Sequence, residues 1–343
     1  MTDAGGDALG SAPVVIGDRR EDPAVTKRII IDCDPGVDDA VAILLAAGDP
    51  AVEVAAITTV AGNQTLAKVT ENARRIAAAA GLDVPIAAGC DRPLVRDQVL
   101  AGEIHGESGL GGVQWPEPTR DLDPRHAADL IVDEVTARPG EITLVPIGPL
   151  TNIAMALRLE PSIVDAAAGV VLMGGSYTRG NTTPAAEFNV LADPEAAAAV
   201  FSAGWPVTMV GLDLTRQVKV TAGLIERLRE LDGPAARLVL DTMTFYNAAI
   251  GELARQTEHQ DADGDATAGS LHDPAAIAYV IDPSMFTVAD AVVAVETAGE
   301  HTYGMTVVDF ALRGRAPNAV VPTGIRPDAF YDRLIDAIAA LPG

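Results

Sequence analysis

The chain has 343 residues, with 48 acidic against 24 basic side chains and a formal net charge of −24. This charge argues against a nucleic-acid partner and against an anionic membrane surface, because both are bound through Lys and Arg. No apolar run reaches the roughly 18 residues of a membrane span. Two cysteines, Cys33 and Cys90, are too few for a disulfide framework, and no secretory signal opens the chain. We therefore expect a cytoplasmic protein with a flexible tail over residues 1–24.

Beyond the tail, short apolar runs alternate with longer Ala-rich segments of helical spacing. Strands are predicted over 27–33, 52–60, 84–88, 142–147, 169–173, 206–210, 287–295 and 306–310. Helices are predicted over 39–48, 66–80, 125–137 and 194–203, from 151 and from 328, and in a group between 224 and 281. This alternation predicts an α/β fold, with an open, doubly wound, mostly parallel (mixed) sheet flanked by helices. No composition break divides residues 25–343, so a single domain is expected.

Two Gly-rich loops, 91–124 and 174–193, interrupt the alternation. Long loops in a compact α/β domain are usually functional or disordered. Ligands of open parallel sheets bind beyond the C-terminal ends of the strands. The residues that follow each strand are therefore the first place to look for a site.

An acidic cluster follows the first predicted strand directly. In the segment DCDPGVDD, four carboxylates fall within eight residues: Asp32, Asp34, Asp38 and Asp39. Carboxylates at this density repel one another, and a bound cation relieves the repulsion. Oxygen ligands without His or Cys favour Ca²⁺ or Mg²⁺ over Zn²⁺. The alternative is that these acids only cap the following helix, which accounts for one or two of them.

Two other protein classes use similar aspartates. Phosphatases of the haloacid-dehalogenase type need Thr or Val two residues after their second Asp, where this chain has Gly36. An EF-hand loop needs Glu at its twelfth position, which counted from Asp32 is Ile43. The run DADGD at 261–265 resembles a calcium loop in part, but its spacing favours a solvated loop.

The segment DCDPGVDDA resembles the N-terminal signature of the inosine/uridine-preferring nucleoside hydrolases. Further segments resemble motifs of that family, in the family's order: TVAGN at 59–63, IHGESGLG at 104–111, IGPLTN at 147–152, MGG at 173–175, GNTTPAAEFN at 180–189, DPEAA at 193–197 and HDP at 272–274. Together they extend over residues 30–285. Any one of these motifs is weak, but the ordered set is highly specific.

The resemblance implies hydrolysis of the N-glycosidic bond of a ribonucleoside, giving ribose and a free base. It implies a Rossmann-like fold with Ca²⁺ at the C-terminal edge of the sheet, and a homodimer or homotetramer. The calcium ligands would be the carboxylates of Asp34, Asp39 and Asp273 and the backbone carbonyl of Ile147. Asp34 would also be the general base that takes a proton from the calcium-bound water, and His272 would protonate the leaving base.

The resemblance also implies a set of sugar and base contacts: Asp38, Asn63, His105, Asn181, Glu187, Phe188 and Asn189. Asp38 and Asn189 would bond the 2′- and 3′-hydroxyls of the ribose. Asn181 and Glu187 would bond its 5′-hydroxyl. Acids around the sugar would stabilise the positive charge of an oxocarbenium-like transition state.

Several of these positions have a structural alternative. Asn63 and Asn181 adjoin glycines and suit loop turns, His105 could be held by loop backbone, and Phe188 by core packing. Tyr246, on the helix before the acidic insert at 258–269, is more consistent with core packing than with base contact. The base preference therefore stays open. The alternative functions are a phosphatase of the haloacid-dehalogenase type and a non-catalytic protein that binds calcium or sugar.

Overall fold

A computed structural model describes residues 26–101, 105–257 and 268–342, with residues 253–257 described by backbone only. The predicted tail at 1–24 and the DADGD run at 261–265 lie outside this part of the chain. Among the described helices, none combines the length and apolar character that crossing a bilayer requires.

Strands and helices alternate along most of the chain. The strands are β1 (Lys27–Cys33), β2 (Val52–Thr59), β3 (Ile86–Ala88), β4 (Ile142–Pro146), β5 (Gly169–Met173), β6 (Val207–Val210), β7 (Phe286–Val295), β8 (Thr306–Asp309) and β9 (Ala319–Ile325). The helices are α1 (Val37–Gly48), α2 (Leu66–Ala80), α3 (Ala127–Ala137), α4 (Thr151–Leu159), α5 (Ile163–Ala166), α6 (Phe188–Ala192), α7 (Pro194–Ser202), α8 (Leu212–Thr215), α9 (Ala222–Glu230), α10 (Pro234–Thr257), α11 (His272–Ile281) and α12 (Pro327–Ala340). A 3-10 turn at Pro283–Met285 leads into β7.

The nine described strands form one sheet in the order β3-β2-β1-β4-β5-β6-β9-β7-β8. The pairs from β3 to β9 are parallel, and β7 pairs antiparallel with β9 and with β8. This confirms the predicted fold class. The chain leaves β1 toward β2 on one side and later continues from β4 on the other, so a crevice opens beyond the ends of β1 and β4.

Helices cover both faces of the sheet. Ile29 and Ile31 of β1 are fully buried in the layer that contains α1, α2, α11 and α12. Ile30 points to the opposite layer, which contains α3, α4 and α7. Side chains on a strand alternate between faces, and a strand buried on both sides is therefore a continuous apolar run. The run of three isoleucines thus fixes β1 as a central strand, and the residues after it open into the crevice.

Candidate active site

Four buried aspartates meet at the crevice. Asp34 lies one residue beyond β1, and Asp38 and Asp39 lie in the first turn of α1. Asp273 lies in the first turn of α11, which brings it from the far end of the chain. All four side chains are at most 6% exposed. The positive ends of the α1 and α11 dipoles partly offset their negative charge.

Three of these acids converge closely. Asp38, Asp39 and Asp273 each offer a carboxylate oxygen within 4.8 Å of the others. Carboxylates this close repel one another when all are charged. A proton or a cation between their oxygens relieves the repulsion.

The pKa values of these acids reflect this crowding. Burial, followed by the charge of Asp39, raises the pKa of Asp38 to about 8. Burial raises the pKa of Asp39 to about 6. Burial and neighbouring carboxylates hold the pKa values of Asp34 and Asp273 well above the ordinary range. A bound cation would reverse these shifts, because it stabilises the charged carboxylates.

Asp34 belongs to the same acidic group, and one of its carboxylate oxygens has no hydrogen-bond partner among the described residues. Its Oδ2 accepts the Asn63 amide proton at 2.6 Å, and its Oδ1 is buried without a partner among the described residues. A Cβ on Gly62 would lie 2.1 Å from Oδ2, and one on Gly148 would lie 2.6 Å from Oδ1. Only glycine fits at these two positions. An unpartnered carboxylate oxygen in an all-oxygen donor set fits a hard divalent cation.

Asn63 ties two of the acids together. Its side-chain Nδ2 donates to the Asp34 carbonyl and to Asp39 Oδ2, both at 3.2 Å. Asp39 in turn accepts the Gly36 amide proton at 2.8 Å, so it also caps α1. Asp39 therefore caps the helix and also belongs to the acidic group, so the two interpretations do not exclude each other.

The predicted carbonyl ligand lies at the end of the adjacent strand. Ile147 follows β4, and its carbonyl accepts a hydrogen bond from Asn189 Nδ2 at 2.9 Å. The same Nδ2 donates to the Met173 carbonyl at 3.1 Å, at the end of β5. Asn189 therefore bridges two strand ends at the crevice, where it was predicted to meet the sugar.

The second predicted Gly-rich loop, 174–193, contains the helix α6 and is therefore shorter than predicted. Three predicted site residues lie in this region: Asn181, Glu187 and Phe188. Glu187 is buried, caps α6 and accepts the Gly175 amide proton at 3.0 Å. Asn181 is exposed, and its Oδ1 accepts the amide proton of the half-buried Phe188 at 3.0 Å. Among the described hydrogen bonds, none links Asn181 to the acidic group. In this structure Asn181 therefore makes the contacts expected of a residue that stabilises a loop turn.

Both predicted histidines lie at the crevice, His105 buried and His272 half-buried. His272 opens α11, and its Nδ1 lies 2.7 Å from Thr215 Oγ1. Burial, with help from the charges of Lys219 and Arg216, lowers the pKa of His272 to about 3. His105 Nδ1 accepts the Val37 amide proton at 3.2 Å, and burial lowers the pKa of His105 to about 4. Both rings are therefore neutral at pH 7.

The sequence did not single out Thr215 or Asn152. Asn152 Nδ2 donates to Asp32 Oδ1 at 2.8 Å and to the Thr59 carbonyl at 3.0 Å. Asp32 is thus held away from the acidic group, and burial raises its pKa to about 7. Asn152 lies within the IGPLTN motif, which could have indicated it, whereas Thr215 lies in no motif. Tyr246 is 4% exposed, which agrees with core packing.

Buried carboxylate oxygens beyond the strand ends of a doubly wound sheet are typical of an α/β enzyme, and this set of oxygens suits a hard cation. A family model described as inosine-uridine preferring nucleoside hydrolase matches residues 29–332. The chain therefore belongs to the inosine-uridine preferring nucleoside hydrolase family.

Relatives in this family match nearly the whole chain. One is the inosine-uridine preferring nucleoside hydrolase of Crithidia fasciculata, 54% identical over 287 residues, which cover 83% of this chain and 88% of that protein. Another is the pyrimidine-specific ribonucleoside hydrolase RihA of Shewanella woodyi, 43% identical over 316 residues, or 92% of this chain and 98% of that protein. The solved structure of the purine-preferring ribonucleoside hydrolase from Gardnerella vaginalis matches with a TM-score of 0.84 and 33% identity, over 91% of this chain and 98% of that one.

Proposed function

We propose that this nucleoside hydrolase cleaves the N-glycosidic bond of ribonucleosides with the help of Ca²⁺, releasing ribose and free base. Asp34, Asp39, Asp273 and the Ile147 carbonyl would hold the ion. The observation that carries the proposal is the buried acidic group together with the unpartnered Oδ1 of Asp34. When bound, Ca²⁺ would lower the pKa of a water molecule and accept sugar hydroxyls as ligands.

The remaining steps fall to side chains of the pocket. Asp34 acts as the general base, because its Oδ1 is free to take the proton of the attacking water while Asn63 holds its Oδ2. Asp38 accepts a hydrogen bond from one ribose hydroxyl, and Asn189, held at the ends of β4 and β5, bonds another. The carboxylates stabilise positive charge as it develops on the ribose.

His272 serves the leaving base. We assign Thr215 Oγ1 as the donor to His272 Nδ1, which leaves the proton of the neutral ring on Nε2. A neutral imidazole with this tautomer can donate a hydrogen bond to the departing base. It would not act as an imidazolium acid at pH 7, because the pKa of the ring is about 3.

The proposal covers purine and pyrimidine ribonucleosides alike. The relatives' names include inosine-uridine preferring, pyrimidine-specific and purine-preferring hydrolases. Assembly as a homodimer or homotetramer stays a prediction from the family resemblance.

The test is an assay of reducing sugar released from inosine, uridine and cytidine, with and without a calcium chelator. We expect ribose from at least one nucleoside, loss of activity with the chelator and recovery on adding Ca²⁺. A sugar phosphate in the same panel tests the phosphatase alternative, which predicts phosphate release. Full activity in the chelator would contradict the role of calcium, and no ribose from any nucleoside would contradict the reaction.

A further inference from the structure

A row of side chains at the start of α2 holds the Gly-rich segment 105–112 in place. The donors are spaced four residues apart: Gln64 lies just before the helix, and Lys68 and Asn72 lie on its first two turns. They bond to three successive carbonyls of the segment. The pairs run in register: Gln64 with Gly106, Lys68 with Glu107 and Asn72 with Ser108. We call Gln64, Lys68 and Asn72 the α2 ladder. A slip of the segment by one residue would break all three bonds, so the ladder sets its register.

The ladder also reaches the acidic turn. Asn72 Nδ2, which bonds the Ser108 carbonyl at 2.9 Å, also bonds the Pro35 carbonyl at 3.0 Å. Pro35 lies directly between Asp34 and the start of α1. One buried amide group therefore fixes both the segment and the turn that carries the proposed base. Asn72 is 6% exposed, so water does not compete for these bonds.

The opposite side of the segment is closed by α10. A Cβ on Gly111 would lie 2.4 Å from the Phe245 ring, and Gly111 has a φ of +63°. This glycine combines a left-handed backbone with a contact that admits no side chain. The segment is thus enclosed between α2 and α10, and its first residue, His105, is directed onto the Val37 amide at the start of α1.

We propose that the α2 ladder is a positioning device for the reaction. It fixes the segment over the acidic pocket, and through the segment it fixes the His105 ring. Because Nδ1 of that ring accepts from Val37, the proton of the neutral ring lies on Nε2. The ladder residues do not touch substrate and act through His105. The kinetic part of this inference rests on the proposed function.

Gln64→Met and Lys68→Met test the ladder, because each removes the donor to the segment and keeps an unbranched side chain of similar size. Gln64→Met also removes the Oε1 that accepts from Lys68 Nζ at 3.5 Å. Arg74→Met is the matched control. Arg74 is also a cation on α2 that donates to a backbone carbonyl, but that carbonyl belongs to Arg120, outside segment 105–112. Lys68→Arg, which keeps a donor, is the rescue variant.

We expect each Met variant of the ladder to lower kcat for nucleosides about 3- to 30-fold, as for loss of one hydrogen bond that positions the segment. Arg74→Met and Lys68→Arg should stay within about twofold of the wild type. Calcium affinity should be unchanged in all four variants, whereas a merely structural role would lower it together with Tm. Ladder variants with wild-type kcat, or with kcat and calcium affinity lost together, would overturn the proposal.

Hydrogen exchange gives a readout that needs no substrate. The amides of Gly109 and Gly111 bond to carbonyls within the segment. These two amides should exchange faster in the Gln64→Met and Lys68→Met variants. Their exchange rates should be unchanged in the Arg74→Met variant. If the wild type cleaves no nucleoside, the proposed function fails while exchange still tests the ladder. Unchanged exchange in all variants would refute the ladder on its own.

Discussion

Calcium binding should release protons from the acidic group. At pH 7, a carboxyl with the pKa of Asp38, about 8, carries about 0.9 proton, and one with the pKa of Asp39, about 6, carries about 0.1. Burial and neighbouring carboxylates also raise the pKa values of Asp34 and Asp273. A cation binds the charged carboxylates, so at least about one proton must leave on binding.

The raised pKa values determine the direction in which calcium affinity changes with pH. Below them the acids hold their protons and compete with calcium, so calcium affinity rises with pH up to about 8, where Asp38 loses its proton. Each proton released makes the affinity fall roughly tenfold per unit of pH below that point.

Isothermal titration with calcium measures the proton count directly. The apparent enthalpy at pH 7 is compared in two buffers that do not bind calcium and differ in ionisation enthalpy. Asp38→Asn is the control, because it removes about one titrating proton and leaves the proposed ligands in place. Equal enthalpies in the two buffers, together with a calcium affinity that does not change between pH 6 and pH 8, would refute the reasoning.

Further predictions concern individual groups in the pocket. Asp34→Asn should retain calcium but lower kcat about 10²- to 10⁴-fold, the usual contribution of a general base; near-normal turnover with calcium bound would remove Asp34 from that role. Gly62→Ala places a methyl group 2.1 Å from Asp34 Oδ2, so we expect a loss of about 1–3 kcal/mol in unfolding free energy, measured in urea, with weaker calcium binding. Thr215→Val should lower kcat about tenfold with unchanged KM, because His272 loses its tautomer-fixing partner; an unchanged kcat speaks against that assignment. Because the proposed ion binds a ribose hydroxyl, 2′-deoxynucleosides should react far more slowly, and comparable rates would contradict chelation.

Local signals predicted most of the elements correctly. The boundaries of β1, α2 and β5 are confirmed exactly, and α2 ends where Gly81 adopts a φ of +67°. β9 was missed, because Pro322 and Gly324 interrupt its apolar run, yet the strand is stable between β6 and β7. The helix predicted from Asp39 begins at Val37, because the Asp39 carboxylate reaches back to the Gly36 amide.

The candidate site was accessible from sequence only where its residues lie in motifs. The acidic turn is contiguous, and it could be interpreted without a structure. Asp273 entered through the family resemblance, because nothing local connects it to the turn. The residues of the α2 ladder are spaced four apart, which the sequence shows. Their partners are backbone carbonyls of a distant loop, and every residue has a carbonyl, so the sequence does not identify these partners. Tertiary hydrogen bonds of this kind become visible only in three dimensions.

The acidic group has a further consequence for how the chain matures. Its members on α1 and α11 are separated by about 235 residues, and closing a loop of that length costs about 5 kcal/mol in chain entropy. During synthesis, the opening strand and its turn emerge long before the helix that completes the pocket. If calcium binds as proposed, a nascent chain would bind it tightly only after the ribosome has made α11, and the ion would then join a turn made early in synthesis to a helix made about 235 residues later.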